Sequence, residues 1–99
     1  MATKAINVIE VFAVSGQANG LKIPISSLVD SLRETSGCLS YTAVQRAANQ
    51  DLWIITGHWE STAAMESHYQ HPVLTRFAQL LGCHSVNTIT VSSFADSRV

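Results

Sequence analysis

The sequence predicts one α+β domain with the element order βαββαβ, the split-βαβ ferredoxin-like arrangement: a four-stranded antiparallel sheet with two helices on one face. Three observations predict it. Four segments rich in β-branched residues are separated by turn material, two segments between them carry apolar residues at helical spacing, and the chain of 99 residues leaves room for only one domain, with a core over about residues 4–94.

The first strand runs from Lys4 to Val14. One parity holds Ile6, Val8, Phe12 and Val14, broken by Glu10; the other holds Ala5, Ile9, Val11 and Ala13, broken by Asn7. Both faces are therefore mostly apolar. Ser15 to Gly20 is a turn. Leu21, Ile25, Leu28, Val29 and Leu32 then form one helical stripe, with Pro24 in the first turn, where its missing N–H costs nothing, and Gly37 as the terminator. Cys38 to Arg46 is the second strand, Ala47 to Asp51 a polar hairpin loop, and Leu52 to Glu60 the third strand, with Leu52 and Ile54 on one face and Trp53, Ile55 and Trp59 on the other. Ser61 is placed to cap the second helix, whose inner side holds Ala64, Met65, His68 and Tyr69. Pro72 breaks that helix, since the residue before a proline resists α geometry, and a restarted segment carries Leu74, Phe77, Leu80 and Leu81 up to Gly82. His84 to Phe94 is the fourth strand, followed by a frayed end from Ala95.

Composition narrows the function classes. Hydrophobic residues make up 46% of the chain and charged residues 13%, about half the ~25% of ordinary soluble domains, with a formal net charge of -1. There is no basic stripe for nucleic acid, no apolar run long enough to span a bilayer and no signal-peptide pattern, so a cytoplasmic location is expected. Cys38 and Cys83 lack metal or redox spacing and read as small buried thiols. Two helices cover one face of the sheet only. The first and third strands are apolar on both, and an exposed apolar face of that size calls for a cover; the simplest is a second copy packed sheet to sheet.

Gly37-Cys38-Leu39-Ser40-Tyr41 after the first helix, Gly57-His58-Trp59-Glu60-Ser61 closing the third strand, Met65-Glu66-Ser67-His68 on the second helix and then Pro72 together resemble the antibiotic biosynthesis monooxygenase family, a branch of the dimeric α/β-barrel proteins, from about Ile6 to about Phe94. The resemblance implies a dimer with a small-molecule pocket between sheet and helices in each subunit. Some members oxidise aromatics or quinols with dioxygen and no cofactor; others degrade haem, act on signalling molecules or have no known activity. Two departures stand out: Gly57 where the family often carries Glu, and Val73 where it often carries His. The Asn, Trp and His of the haem-degrading branch are replaced by Ile9, His68 and Ala78, which sets haem degradation aside.

Two residues are candidates for chemistry. His68 is a candidate general base for a phenol or hydroquinone, against the alternative of a packed core histidine. Asn7 could hydrogen-bond a carbonyl or developing oxyanion, or be an edge-strand or strand-start residue facing water. Tyr41, Trp59, Met65, Tyr69 and Phe77 are candidate substrate-binding residues, although Trp59 reads first as a core anchor at the end of the third strand. His58 points away from Trp59, and His71 beside the break at Pro72 lacks a third ligand for a metal. No metal and no cofactor is expected. The expected function is cofactor-independent oxidation of a small aromatic or quinol by dioxygen. The alternatives are a non-catalytic binding dimer and an isomerase-like enzyme on a small carbonyl signal. The two-faced strands make a first prediction: light scattering at micromolar concentration gives about twice the chain mass of 10.7 kDa, and a clean monomer would exclude the sheet-to-sheet dimer.

Overall fold

A computed structural model describes residues 3–48, 51–81 and 86–95. The elements are β1 (Ala5–Ala13), a 3-10 turn (Ala18–Leu21), α1 (Lys22–Arg33), β2 (Cys38–Gln45), β3 (Leu52–Trp59), α2 (Thr62–His68), α3 (Pro72–Leu81) and β4 (Val86–Ala95). The expected βαββαβ order holds, with the second helix divided in two at Pro72. The four strands form one sheet of order β2-β3-β1-β4, every neighbour antiparallel. The two strands read as apolar on both faces, β1 and β3, are the two inner strands.

Pleating sorts β1 cleanly. Ala5, Asn7, Ile9, Val11 and Ala13 are buried beneath the helices, while Ile6, Val8, Glu10 and Phe12 are half-buried on the open face. The buried set joins Ile25, Leu28, Val29 and Leu32 of α1 and Ile55 and Trp59 of β3 in one core. α1 lies over β2, α2 lies over β1 and β3, and α3 packs beside α1. Polar ties fix this arrangement at two points. The Arg33 Nε–H donates to the Tyr41 carbonyl at 2.8 Å, and the Trp53 indole N–H donates to the Ala18 carbonyl at 3.1 Å.

Capping explains the helix boundaries. The Ser61 hydroxyl accepts from the Ala64 N–H at 3.0 Å, as its position implies. Pro72 opens α3, and the His71 imidazole Nδ1 accepts from the Val73 N–H at 3.1 Å, so His71 serves as a local cap. Gly37 differs from expectation. α1 ends at Arg33, four residues earlier, and Gly37 instead makes the turn into β2 at a φ of 83°, pressed so close to Ala64 that an added Cβ would stand 2.5 Å from the Ala64 methyl. β4 also runs one residue further than read, because Ala95 pairs with Ala5. Gly82, Cys83, His84, the side chains of Leu80 and Leu81, part of the hairpin loop and the chain end after Ala95 lie outside the described residues.

A larger difference concerns Asn7. It is not an edge-strand residue facing water: β1 is an inner strand, and Asn7 is 0% exposed. Trp59 is equally enclosed, the largest fully buried side chain among the described residues. Trp59→Ala is therefore expected to destabilise the fold by about 3–5 kcal/mol, seen as a drop of many degrees in the thermal midpoint. A change near zero would place Trp59 against solvent.

Candidate functional site

Register brings the buried Asn7 and Tyr41 into one row with Gly57 and the exposed Ser93. Tyr41 of β2 pairs with Gly57 of β3, Gly57 pairs with Asn7 of β1, and Asn7 pairs with Ser93 of β4. All four face the helices. Gly57 leaves a gap in the middle of the row, and Asn7 and Tyr41 fill it: a Cβ at position 57 would lie 2.3 Å from the Asn7 Oδ1 and 2.5 Å from the Tyr41 Cε2. Across that gap the Asn7 carboxamide donates to the Tyr41 hydroxyl at 2.9 Å. The position where the resembling family often has Glu is thus one where this chain tolerates no side chain.

The bonds continue in a chain. The Trp59 indole N–H donates to the Asn7 Oδ1 at 2.7 Å. Tyr41 Oη stands 3.4 Å from the His68 Nε2, and the His68 Nδ1 bonds the Met65 carbonyl. Since a carbonyl only accepts, Nδ1 carries the proton; in the neutral ring Nε2 is then the acceptor, and the Tyr41 hydroxyl donates to it. Every donor points the same way, from Trp59 through Asn7 and Tyr41 to His68 and the α2 backbone. Aromatic contacts brace the chain: His68 lies against Trp59 with centroids 4.3 Å apart and against Tyr69 at 4.4 Å. His68 is 1% exposed. Burial holds its imidazole below the usual value of 6.5, and the nearby His71 adds to this, against a smaller opposite pull from the Met65 carbonyl. Burial also pushes the Tyr41 phenol well above its usual range, the Asn7 hydrogen bond offsetting part of the rise. Both groups are neutral near pH 7. Among the described residues no buried side-chain nitrogen or oxygen lacks a partner.

Beside this network an apolar cavity of about 210 Å³ lies between α3 and β4, open to solvent along β4, where Val91 is 55% exposed. Ile9 forms its floor, Leu74, Phe77 and Ala78 its α3 wall, Ile89 and Val91 its β4 wall, and Tyr69 its boundary with the network. The Tyr69 hydroxyl reaches the Ser93 hydroxyl of β4 at 2.6 Å. Ile9 and Ala78, the two positions set against an Asn and a His of the haem-degrading branch, both line this cavity and make it apolar. A second groove, of about 220 Å³, runs between α1 and α3 past Ile23, Ser27, Arg76 and Phe77, and a hollow of about 300 Å³ lies at the sheet rim around Lys4, Ala5, Ile6 and Phe94, where Ala5 pairs with Trp59. No group of three or more His, Cys, Asp and Glu side chains stands together as a metal site among the described residues.

The sequence candidates thus separate into two sets. His68, Asn7, Tyr41 and Trp59 form the enclosed network, with Met65 buried beside it and contributing its carbonyl. Tyr69 and Phe77 line the cavity. Ile9, Leu74, Ala78, Ile89, Val91 and Ser93 were not among the candidates. The i, i+4 spacing of Leu74 and Ala78 offered a signal, but the β4 residues needed the sheet register.

The sequence model for antibiotic biosynthesis monooxygenase matches residues 5–80. No curated protein sequence matches the chain. Among solved structures, a Deinococcus radiodurans protein named for this family superposes with a TM-score of 0.86 at 21% identity, covering 96% of this chain and 94% of that one. A Pseudomonas aeruginosa protein gives 0.82 at 22% identity, covering 99% and 98%, and a Mycobacterium tuberculosis protein gives 0.77 at 19%, covering 96% and 97%. At these identities the likeness is one of fold.

Gly57→Ala tests the network. The added methyl must displace Asn7 or Tyr41, breaking buried hydrogen bonds, so a loss of about 2 kcal/mol or more in urea unfolding is expected. An unchanged midpoint would show that the row of side chains yields without cost.

Proposed function

The chain belongs to the antibiotic biosynthesis monooxygenase family, and on that premise we propose that it oxidises a small electron-rich aromatic or quinol with dioxygen, without a cofactor, in the cavity between α3 and β4. The observation that carries this reading is the juxtaposition of an apolar cavity with a neutral, oriented imidazole one aromatic ring away. Oxidation of this kind starts from a substrate anion, so the protein must accept a proton and keep the anion out of water until an electron passes to dioxygen. His68 is the proposed acceptor. Its Nε2 lone pair faces the Tyr41 hydroxyl, and the 3.4 Å separation makes that a long, weak hydrogen bond that a substrate hydroxyl can replace. Asn7, with its oxygen on Trp59 and its amide on Tyr41, acts in this scheme by orienting Tyr41 and through it the imidazole. The ring of Tyr69 stands between His68 and the cavity, so it must swing aside as substrate enters; catalytic contacts in an empty site commonly tighten only when the substrate is bound.

The homodimer belongs to the same proposal. On the open face of the sheet Ile6, Val8, Phe12 and Ile54 are apolar around the half-buried Glu10, and Val44 and Phe94 remain 59% and 55% exposed at the flanks. A second copy placed sheet to sheet would cover that face and leave both helix-side cavities free. One other reading has a specific observation in its favour. The complete internal satisfaction of His68 and Asn7 suits a domain that binds a small molecule without transforming it.

Oxygen uptake with a hydroquinone panel, compared with the same mixtures under anaerobic conditions, separates the two readings. Oxygen-dependent turnover supports the oxidation; saturable binding with no uptake supports the binding domain. His68→Ala is expected to lower turnover roughly 10²–10⁴-fold while the dimer persists. Full activity in a stable variant would remove His68 from the chemistry.

A pH titration checks the imidazole independently of substrate. The unfolded chain takes up a proton on His68 near pH 6.5, whereas the folded one resists until lower pH. The contribution to stability is therefore complete above about pH 6.5 and declines as pH falls from there through the folded value. Between those limits wild type loses more stability on acidification than His68→Gln does. Parallel curves for the two would contradict burial of the neutral ring.

A further inference from the structure

We infer that the second copy proposed above docks on the open sheet face through two reciprocal polar contacts, the Glu10 carboxylate of each protomer meeting His58 of the partner subunit. The inference rests on that sheet-to-sheet dimer, and it goes further in naming the register of the two sheets and the pair of side chains that fixes it.

Strand register places the two residues. On the open face His58 of β3 pairs with Ile6 of β1, Thr56 with Val8, and Ile54 with Glu10. Glu10 and His58 therefore stand on the two inner strands, two rows apart, with Val8 and Thr56 midway between them. Same-face residues on a strand repeat every ~7 Å, so the two are about 14 Å apart along the strands, too far to meet within one protomer. Both are half-buried. Within the strands they are the only titratable side chains on this face among the described residues; Lys4 and Arg46 stand beyond the strand ends. Neither the Glu10 carboxylate nor the His58 imidazole has a hydrogen-bond or ion-pair partner among the described residues.

That carboxylate sits among Val8, Phe12 and Ile54 and is tolerated while water reaches it. A second sheet laid over the face removes the water, and a carboxylate buried without a partner then opposes docking. His58 is the one side chain in the interior of the face that can supply a charge-assisted N–H. Symmetry brings the two together. A two-fold dimer presents the same patch twice, so each residue must meet the one that the axis carries onto it. An axis lying between the sheets and crossing the inner strands at Val8 and Thr56 carries the Glu10 row onto the His58 row. Both pairs then form at once, one on each side of the axis. An axis crossing at Glu10 itself would instead set two carboxylates against each other. The ~10 Å between face-packed sheets is within the combined reach of a glutamate and a histidine side chain.

The test is the dimer dissociation constant, measured by sedimentation velocity on dilution series of wild type, Glu10→Lys, His58→Glu and the chain carrying both changes. Each single change removes the match at both contacts and is expected to weaken the dimer by about tenfold or more. The doubly changed chain brings opposite charges together again at both contacts and is expected to dimerise more tightly than either single variant. Two independent disruptions cannot give that rescue, because their losses add. Circular dichroism checks that each variant has folded. Should a charge-reversed chain fail to fold, Glu10→Gln, His58→Gln and their combination supply a double-mutant cycle on milder changes; a coupling of about threefold or more is expected, and none overturns the pairing. A dimer indifferent to both single changes, or a doubly changed chain weaker than either, overturns the pairing and leaves the sheet-to-sheet dimer standing. A wild-type chain that stays monomeric overturns the dimer and the pairing with it.

Discussion

The buried network of Asn7, Tyr41, Trp59 and His68 depends on the absence of one side chain. Gly57 occupies the middle of three adjacent strands, and only because nothing rises from its Cα can Asn7 and Tyr41, on the strands to either side, meet above it. An asparagine buried on an inner strand would otherwise leave a carboxamide unpaired, at a cost of a few kcal/mol. With the gap in place, the amide finds a phenol, its oxygen finds the Trp59 indole, and the phenol turns toward His68. The glycine is therefore a spacing element, and its usefulness lies in the contact between its neighbours rather than in an unusual backbone angle.

The single direction of the donors has a further effect on His68. A neutral imidazole has two tautomers, and an enclosed ring without strong partners would exchange between them. Here the Met65 carbonyl fixes the proton on Nδ1, and the Tyr41 hydroxyl, held by Asn7, meets Nε2. The ring is thus presented with a known acceptor atom and cannot turn over without losing both contacts. Stacking on Trp59 and Tyr69 fixes its plane as well. Orientation, rather than an altered charge, is what the surroundings contribute.

The architecture was legible because each element repeats its signal several times. Alternation in β1, the stripe from Leu21 to Leu32, the Ser61 cap and the break at Pro72 all gave the element that the structure contains. The features misread or missed hang on single residues. Gly37 carries the marks of a helix terminator, yet its work is to make room for Ala64, 27 residues later in the sequence and against it in space. Asn7 looks like a polar interruption in a strand, and nothing nearby in sequence announces the phenol 34 residues later that accepts its hydrogen bond. His68 could be placed on an inward helical face from spacing alone, but whether that face met a cavity or a closed network depended on the register of Tyr41, Gly57 and Asn7. The cavity itself escaped the sequence because half of its wall comes from β4, whose pairing with β1 no local periodicity encodes.

The break at Pro72 divides the helical layer into two parts attached by different means. α2 is joined to the sheet through His68 by directional hydrogen bonds. No side-chain hydrogen bond among the described residues ties α3 to the sheet, and its cavity-facing contacts are apolar. Directional bonds fail when an element shifts by an ångström, whereas apolar contacts re-form after a small slide. Substitutions along Leu74, Phe77 and Ala78 can thus reshape the chamber without disturbing the buried row beneath α2. In terms of descent, a lineage can vary the shape of that space through α3 while inheriting the inner framework unchanged.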